Sequence, residues 1–365
     1  MKQDSPPAFL PAFLIGYSDS DFTNPHEAML PVEPKDCRGD FTHMGAKYWG
    51  FESRRHRAHT VLADEQALAW NHNAHDWLQI CLKQRAEVTM IKISTKWYTG
   101  NQVRAVSVFL KDDVTRQKKR VLDRQPLNPD AEHEFPIEPT IATECLIECY
   151  FDGGISRINF FGAPVDPAPE RRNLLEDAKI THVSNQHYGK PDVTVTGNRQ
   201  QMHMVGWESA RTGFGEQALF HLRERSTIDE FVVDTYLHRL NPPLTAHVYA
   251  VNGKDADELM KSAPRWKLSF GKKDVVPDDF RAYMLEQKYL EEKGVSGDRT
   301  NFKIKLHLPE GSPWKPLLPF APLSRDTYHR FRDLKKTGPV THLLYMHYPN
   351  GGVHGLKAFG TERPI

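Results

Sequence analysis

The feature that most constrains this chain is that it contains itself. Residues 74–110, AHDWLQICLKQRAEVTMIKISTKWYTGNQVRAVSVFL, lie over residues 214–250, FGEQALFHLRERSTIDEFVVDTYLHRLNPPLTAHVYA, at a constant offset of 140 with no gap. Leu82 falls on Leu222, Arg85 on Arg225, Thr95 on Thr235, Asn101 on Asn241 and Val108 on Val248. Each half closes on a similar phrase, CYFDGGISRINFFG (149–162) and MHYPNGGVHGLKAFG (346–360). Each also opens on one, GYSDSDF (16–22) and THVSNQHYG (181–189), and WGFESRRHR (49–57) returns as VGWESAR (205–211). Repeated phrases in the same order are the mark of a duplicated unit.

The local pattern within each copy is β. VTMIKIS (88–94), VSVFL (106–110), FVVDTY (231–236) and AHVYAV (246–251) are short runs of β-branched and aromatic residues, as half-buried strands require. Asp-Gly-Gly at 152–154 and Asn-Gly-Gly at 350–352 predict a hairpin between the last two strands of each half, with glycines free to take positive φ. Short strands between Pro, Gly and Asn breaks predict an all-β chain of two tandem sandwiches or jelly rolls. The expected domains are residues 1–168 and 169–365, joined near GAPVDPAPERRN (162–173), whose prolines suit a stiff linker. The second half has extra length near 275–296, where Phe280, Tyr283, Met284 and Leu290 recur at helical spacing. Asp278 or Asp279 can cap its start and Gly294 its end, so a short helical insertion is expected there.

Bulk properties exclude several partners. Net charge is +1, with both signs spread along the chain, which lacks the basic stripe of a nucleic-acid or anionic-membrane binder. No window approaches an apolar membrane span, and the opening run MKQDSPPAFLPAFLIGYSD is broken by prolines, unlike a secretory signal. Cys37, Cys81, Cys145 and Cys149 form no CxxC pair, so a reducing, cytoplasmic setting is expected. Cys145 and Cys149 lie four apart in a strand and share a face, as core thiols.

The ordered set of phrases resembles the allantoicase family across nearly the whole chain. The first copy supplies Ser18-Asp19 with Phe22, Glu52-Ser53-Arg54-Arg55, His75-Asp76-Trp77, Thr95 with Tyr98 and Gly100-Asn101, and Asp152-Gly153-Gly154 with Arg157. The second supplies VSNQHYGKPD (183–192), Gly206-Trp207-Glu208-Ser209-Ala210-Arg211 and Asp234-Thr235. The resemblance implies two jelly-roll repeats of the galactose-binding-like kind and release of urea from allantoate to give ureidoglycolate. It also marks departures. Trp49-Gly50-Phe51-Glu52 stands for Asp-Gly-Trp-Glu, and Ser94 replaces the aspartate before Thr95. In the second copy Gly215-Glu216-Gln217 occupies the His-Asp-Trp position, and YLHRLN (236–241) that of Phe-x-Gly-Asn. Asn350 and Gly355 replace the aspartate and arginine of the closing phrase. The second copy therefore reads as having lost polar groups that the first kept, with Glu208 the structural twin of Glu52.

Allantoate carries a carboxylate and two ureido groups on one carbon. Its hydrolysis asks for an anion clamp, which arginine provides bidentately, a proton donor to the departing urea nitrogen, and a group that activates water. Arg54 and Arg55 suit the clamp and Glu52 the proton donor, while His75 and Asp76 suit an orienting or proton-transfer pair. Tyr98 and Asn101 are candidates to hydrogen-bond a ureido group, and His187, Glu208 and Arg211 are the second copy's substrate-binding candidates. His56, His59, His72 and His75 match no tight metal motif. No bound organic cofactor is expected, a divalent metal stays open, and the partners expected are a small anionic substrate and further copies of the chain. Two other readings of the residues stay open: a related enzyme with a different small anionic or biosynthetic substrate, and a non-catalytic jelly-roll binding protein. A Glu-x-Arg pair beside an aromatic is also a common structural ion pair.

Overall fold

The computed structural model describes residues 7–20, 23–42, 45–54, 60–71, 73–165, 171–196, 199, 206–210, 215–270, 273–275 and 302–363. The chain divides into two compact units, Met1–Glu170 and Arg171–Ile365. Unit 1 contains β1 (Ala8–Leu10), β2 (Ala12–Tyr17), β3 (Phe41–Thr42), β4 (Gly45–Ala46), β5 (Phe51–Glu52), β6 (Thr60–Leu62) and β7 (Leu68–Trp70). It continues with β8 (Asp76–Ser94), β9 (Ala105–Asp112), β10 (Gln117–Pro126), β11 (Glu132–Tyr150), β12 (Gly154–Ile155) and β13 (Arg157–Pro164). Its main sheet runs β1-β13-β8-β11-β9-β10, with β2 also on β8.

Two strands of 19 residues, β8 and β11, organise this unit. Along Asp76–Leu82, β8 pairs with β2 and the end of β11; along Ala86–Ser94 it pairs with β13 and the start of β11. A register shift at Ala142/Glu144 separates the two stretches, and another at Pro136/Thr140 lies within the second. A strand that bulges and changes neighbours lets one sheet fold over its own apolar face. Alternation puts Leu78, Ile80 and Leu82 of β8 inside, against Leu14, Val106, Val108 and Ile147. The result is a jelly-roll sandwich with a single core.

Unit 2 repeats the plan with β14 (Lys179–Val183), β15 (Trp207–Glu208), β16 (Glu216–Asp234), β17 (Thr245–Val251), β18 (Arg265–Phe270), β19 (Lys273–Val275) and β20 (Phe302–His307). Then follow β21 (Lys315–Pro322), β22 (Tyr328–Phe331), β23 (Val340–Tyr348), β24 (Gly352–Val353) and β25 (Gly355–Glu362). The main sheet runs β14-β16-β23-β17-β21, with β22 and β25 on β16. The gap-free repeat of the sequence is thus the long strand: β8 begins at Asp76 and β16 at Glu216, and each is 19 residues long. The partner β11 of unit 1 is broken in unit 2 into β22 and β23. Leu344 and Met346 of β23 face a second cluster with Trp266 and Trp314, while Leu343 and Tyr345 face the main core. Burial on both faces explains why VTHLLYMHY barely alternates.

Three expectations need comment. The Gly-Gly phrases do not close hairpins between neighbouring strands, because β8 lies between β11 and β13. Instead β12 pairs with β5, and β24 with β15. Of the four glycines only Gly153 has positive φ, at +154°. The helix expected near 275–296 lies outside the described residues. The described α-helix of unit 2 is α1 (Ala256–Lys261), whose N-cap Asp255 accepts from the amides of Asp257 and Glu258. No described helix is long and apolar enough to cross a membrane.

Candidate active site

The site of unit 1 is built on the two-residue pairing of β5 with β12, in which Glu52 lies opposite Gly154 and Phe51 opposite Ile155. Ser53 clamps the turn: its amide donates to Gly153 O, and its hydroxyl accepts from the Gly153 amide, both at 3.1 Å. A Cβ on Gly154 would fall 1.9 Å from the Tyr98 ring. The second glycine is therefore there for close approach, not for its φ. Gly154 donates to the carbonyl of Asn101 at 2.8 Å, which fixes Asn101 beside the strand. From there the Asn101 amide Nδ2 donates to Glu52 Oε1 at 2.8 Å. The Glu52 amide donates to Thr23 Oγ1 at 3.1 Å.

Arg54 leads away from this carboxylate, half-exposed, with Nε 3.5 Å from Asp19 Oδ1. Asp19 is joined through the chain to Ser18, whose hydroxyl donates to Asp76 Oδ1 at 2.8 Å and accepts from the Trp77 amide at 3.0 Å. Asn101 and Glu52 thus form one bonded pair, while Arg54, Asp19, Ser18 and Asp76 form a separate polar run in which Asp19 and Ser18 are chain neighbours. Asp76 is buried and acts as the inner anchor of that run.

Other candidates are placed differently. His75 does not pair with Asp76: its Nδ1 meets Asn73 O at 2.9 Å, its Nε2 lies 3.7 Å from Glu148 Oε1, and its ring is 5.8 Å from that of Tyr150. Successive residues of an extended chain point to opposite faces, which separates His75 from the Asp76 side. The expected pairing of His75 with Asp76 is therefore not present: Asp76 is bonded to Ser18 and His75 lies apart from it. Tyr98 is fully buried, with its hydroxyl 3.1 Å from both Trp49 O and Phe51 O. Burial, and then the Glu52 charge, pushes that hydroxyl's pKa well up. Tyr98 supports the backbone that carries Glu52 rather than meeting a solute. Arg55, Arg211, His56, His59 and His72 lie outside the described residues. Among the described residues no group of three His, Cys, Asp or Glu side chains is placed to hold a metal ion.

The second copy keeps more than its words suggest. Asn241 Nδ2 donates to Glu208 Oε1 at 2.8 Å, and the Asn241 carbonyl accepts from the Gly352 amide at 2.8 Å. These are the Asn101 contacts again, so the asparagine is retained although the surrounding phrase is not. His238 replaces Tyr98, and a Cβ on Gly352 would fall 1.9 Å from its Nδ1. Glu216 replaces Asp76 and accepts from the Ser184 hydroxyl. Asn185 stands where Asp19 does, accepting from Trp207 Nε1 at 2.7 Å and, through Oδ1, from the Ala210 amide at 2.8 Å. His187 is exposed beside Tyr188, and both their amides donate to the Glu208 carbonyl, at 3.0 and 3.2 Å.

The remaining departures are complementary. Arg157 stands opposite Ser94 in unit 1, whereas Gly355 stands opposite Asp234 in unit 2. Arg199, from a different loop, supplies the missing guanidinium, with Nε and Nη2 at 2.9 and 3.0 Å from the Asp234 carboxylate. A corner that sequence reading missed also recurs. His133 Nε2 accepts from the Asn128 amide and His329 Nε2 from the Ser324 amide, both at 2.8 Å. The signal was an Asp-x-x-His spacing, Asp130 to His133 and Asp326 to His329.

The allantoicase repeat pattern matches residues 9–165 and again 172–311. A probable allantoicase of Schizosaccharomyces pombe is 24% identical over 369 residues, covering 95% of this chain and 89% of its own. An allantoicase of Neurospora crassa is 27% identical over 278 residues, covering 69% and 75%. A solved allantoicase structure covers 96% of this chain and 91% of its own at 21% identity, with a TM-score of 0.34. The fold described above rests on this chain's own ladders.

Proposed function

The chain belongs to the allantoicase family, and on that premise we propose that it hydrolyses allantoate to urea and ureidoglycolate. The observation that carries the reading is the Glu52 carboxylate fixed by Asn101. In the reaction one C–N bond of the central carbon breaks and a C–O bond to water forms. Glu52 takes a proton from the attacking water and delivers it to the departing urea nitrogen, so that no net proton is gained or lost. Arg54 attracts the substrate carboxylate and orients it. Arg54 is half-exposed, so an incoming carboxylate can reach its guanidinium.

Asn101 acts through Glu52. An amide donor on one carboxylate oxygen sets the plane of the other, and reaction geometry is sensitive to small displacements of this kind. Four free cysteines, three of them buried, support a reducing, cytoplasmic setting for the enzyme.

The test is urea release from allantoate by the native chain and by Glu52→Gln, a near-isosteric change that keeps an acceptor for Asn101. The native chain is expected to release urea, and the variant to lose most of the rate with its fold intact. A well-folded native chain that releases no urea would overturn the proposed function. Undiminished release by Glu52→Gln would remove Glu52 from the mechanism.

A further inference from the structure

The structure builds the Glu52 device twice. In each unit an aromatic-Glu strand pairs with a Gly-containing strand, Glu52 opposite Gly154 and Glu208 opposite Gly352. In each, a serine hydroxyl accepts from the first glycine's amide, Ser53 at 3.1 Å and Ser209 at 3.3 Å. In each, an asparagine carbonyl holds the second glycine and the asparagine amide holds the glutamate, at 2.8 Å throughout.

Almost everything around the device has changed between the copies. Tyr98 has become His238, Asp76 Glu216, Asp19 Asn185 and Arg54 Ala210. The backbone frame needs the serine, the glycines and the asparagine carbonyl, but it does not need the Glu208 carboxylate. A half-buried carboxylate kept in one plane by a dedicated amide serves recognition better than stability, since such a polar pair adds little net stability. The Asn241 amide is held in turn by His238, whose Nδ1 lies 3.4 Å from Asn241 Oδ1.

From this we infer that Glu208 and Asn241 form a second ureide-binding site in unit 2. A ureido group presents two parallel N–H donors, which match the two oxygens of a carboxylate as a guanidinium does. The rim differs from that of unit 1. Ala210 replaces Arg54, and the exposed His187 and Tyr188 stand next to the Glu208 backbone, offering flat surfaces to a planar ureido group. The second site thus recognises the ureido end of a ligand, where the first also holds its carboxylate through Arg54. This inference rests on the ureide chemistry proposed for Glu52.

Calorimetric titration with ureidoacetate tests it. That probe has one ureido group and a central carbon bearing a single nitrogen, so it has no second urea to release. The native chain is expected to bind two equivalents per chain, Glu52→Gln and Glu208→Gln one each, and the double variant none. Asn241→Ala, which leaves Glu208 in place, should weaken the second site about tenfold, a loss of about 1.4 kcal/mol. Circular dichroism and melting curves confirm that each variant is folded. A single equivalent, lost in Glu52→Gln and untouched in Glu208→Gln at ligand concentrations about a hundredfold above the first site's Kd, overturns the second site and leaves the proposed function standing. No binding by the native chain, together with no urea release from allantoate, overturns both.

Discussion

The ring of Tyr98 occupies the space that a side chain at Gly154 would need, with its Cε1 1.9 Å from the Cβ position. Because the hydroxyl of the same ring holds the carbonyls of Trp49 and Phe51, that glycine sets the height of Glu52 above the sheet. Gly154→Ala is expected to push the ring aside and move Glu52. The rate of urea release should fall roughly a hundredfold, and stability by about 1–3 kcal/mol. Kinetics and denaturant unfolding of the same variant check both.

Asn101→Ala leaves Glu52 present but unheld. The expected result is a fall in kcat of about tenfold to a hundredfold, with KM changing much less, since the amide is bonded to the enzyme's own carboxylate. A change confined to KM would instead make Asn101 a direct substrate ligand.

Gly162 and Gly360 sit at matching bulges, where an added Cβ would lie 1.9 Å from the carbonyls of Glu87 and Thr227 respectively. Those atoms are backbone and cannot swing away. Each Gly→Ala change should therefore cost at least about 1–3 kcal/mol, read as an earlier unfolding midpoint in urea. Gly100→Ala, where nothing lies within 4 Å of the added Cβ, is the neutral control.

Acid should weaken unit 2 first. Burial, and then His221, pushes His342 down to about 4, and burial, and then His247, pushes His347 down to about 3, from an ordinary value of 6.5. Both rings are neutral in the folded unit, so the unfolded chain binds protons before the folded one does. Their contribution is complete above about pH 6.5 and is lost as pH falls from there towards 4 and 3, by at most about 1.4 kcal/mol per pH unit per ring. Urea unfolding between pH 7 and 4 should show this slope. His347→Cys, which places in unit 2 the residue that Cys149 provides in unit 1, should flatten it.

Much of the fold was legible because the repeat is gap-free where structure tolerates no gap. An insertion inside β8 or β16 would turn every later side chain to the wrong face, so the 140-residue offset survives along those strands. The hairpins were misread because Gly-Gly is as well suited to seating a ring as to turning a chain. Asn241 was legible through the offset, which sets it on Asn101 although the phrase around it had changed. What pairs an asparagine with a glutamate is the ladder, not the words around it. Thr23 could not be found from strand patterns because it lies between strands, and His133 and His329, though in β11 and β22, act on the backbone of the turns before those strands, at Asn128 and Ser324. Arg199 was invisible because it reaches Asp234 from outside the gap-free strand.

Each unit closes its ladders within itself, and each main core is assembled from residues of one unit alone. Among the described residues, the boundary between the units at Glu170/Arg171 is crossed by no ladder and by neither main core. A gene cut at that point should yield two polypeptides that can be made separately and mixed, so that a lesion in one half is complemented by an intact copy of the same half supplied in trans.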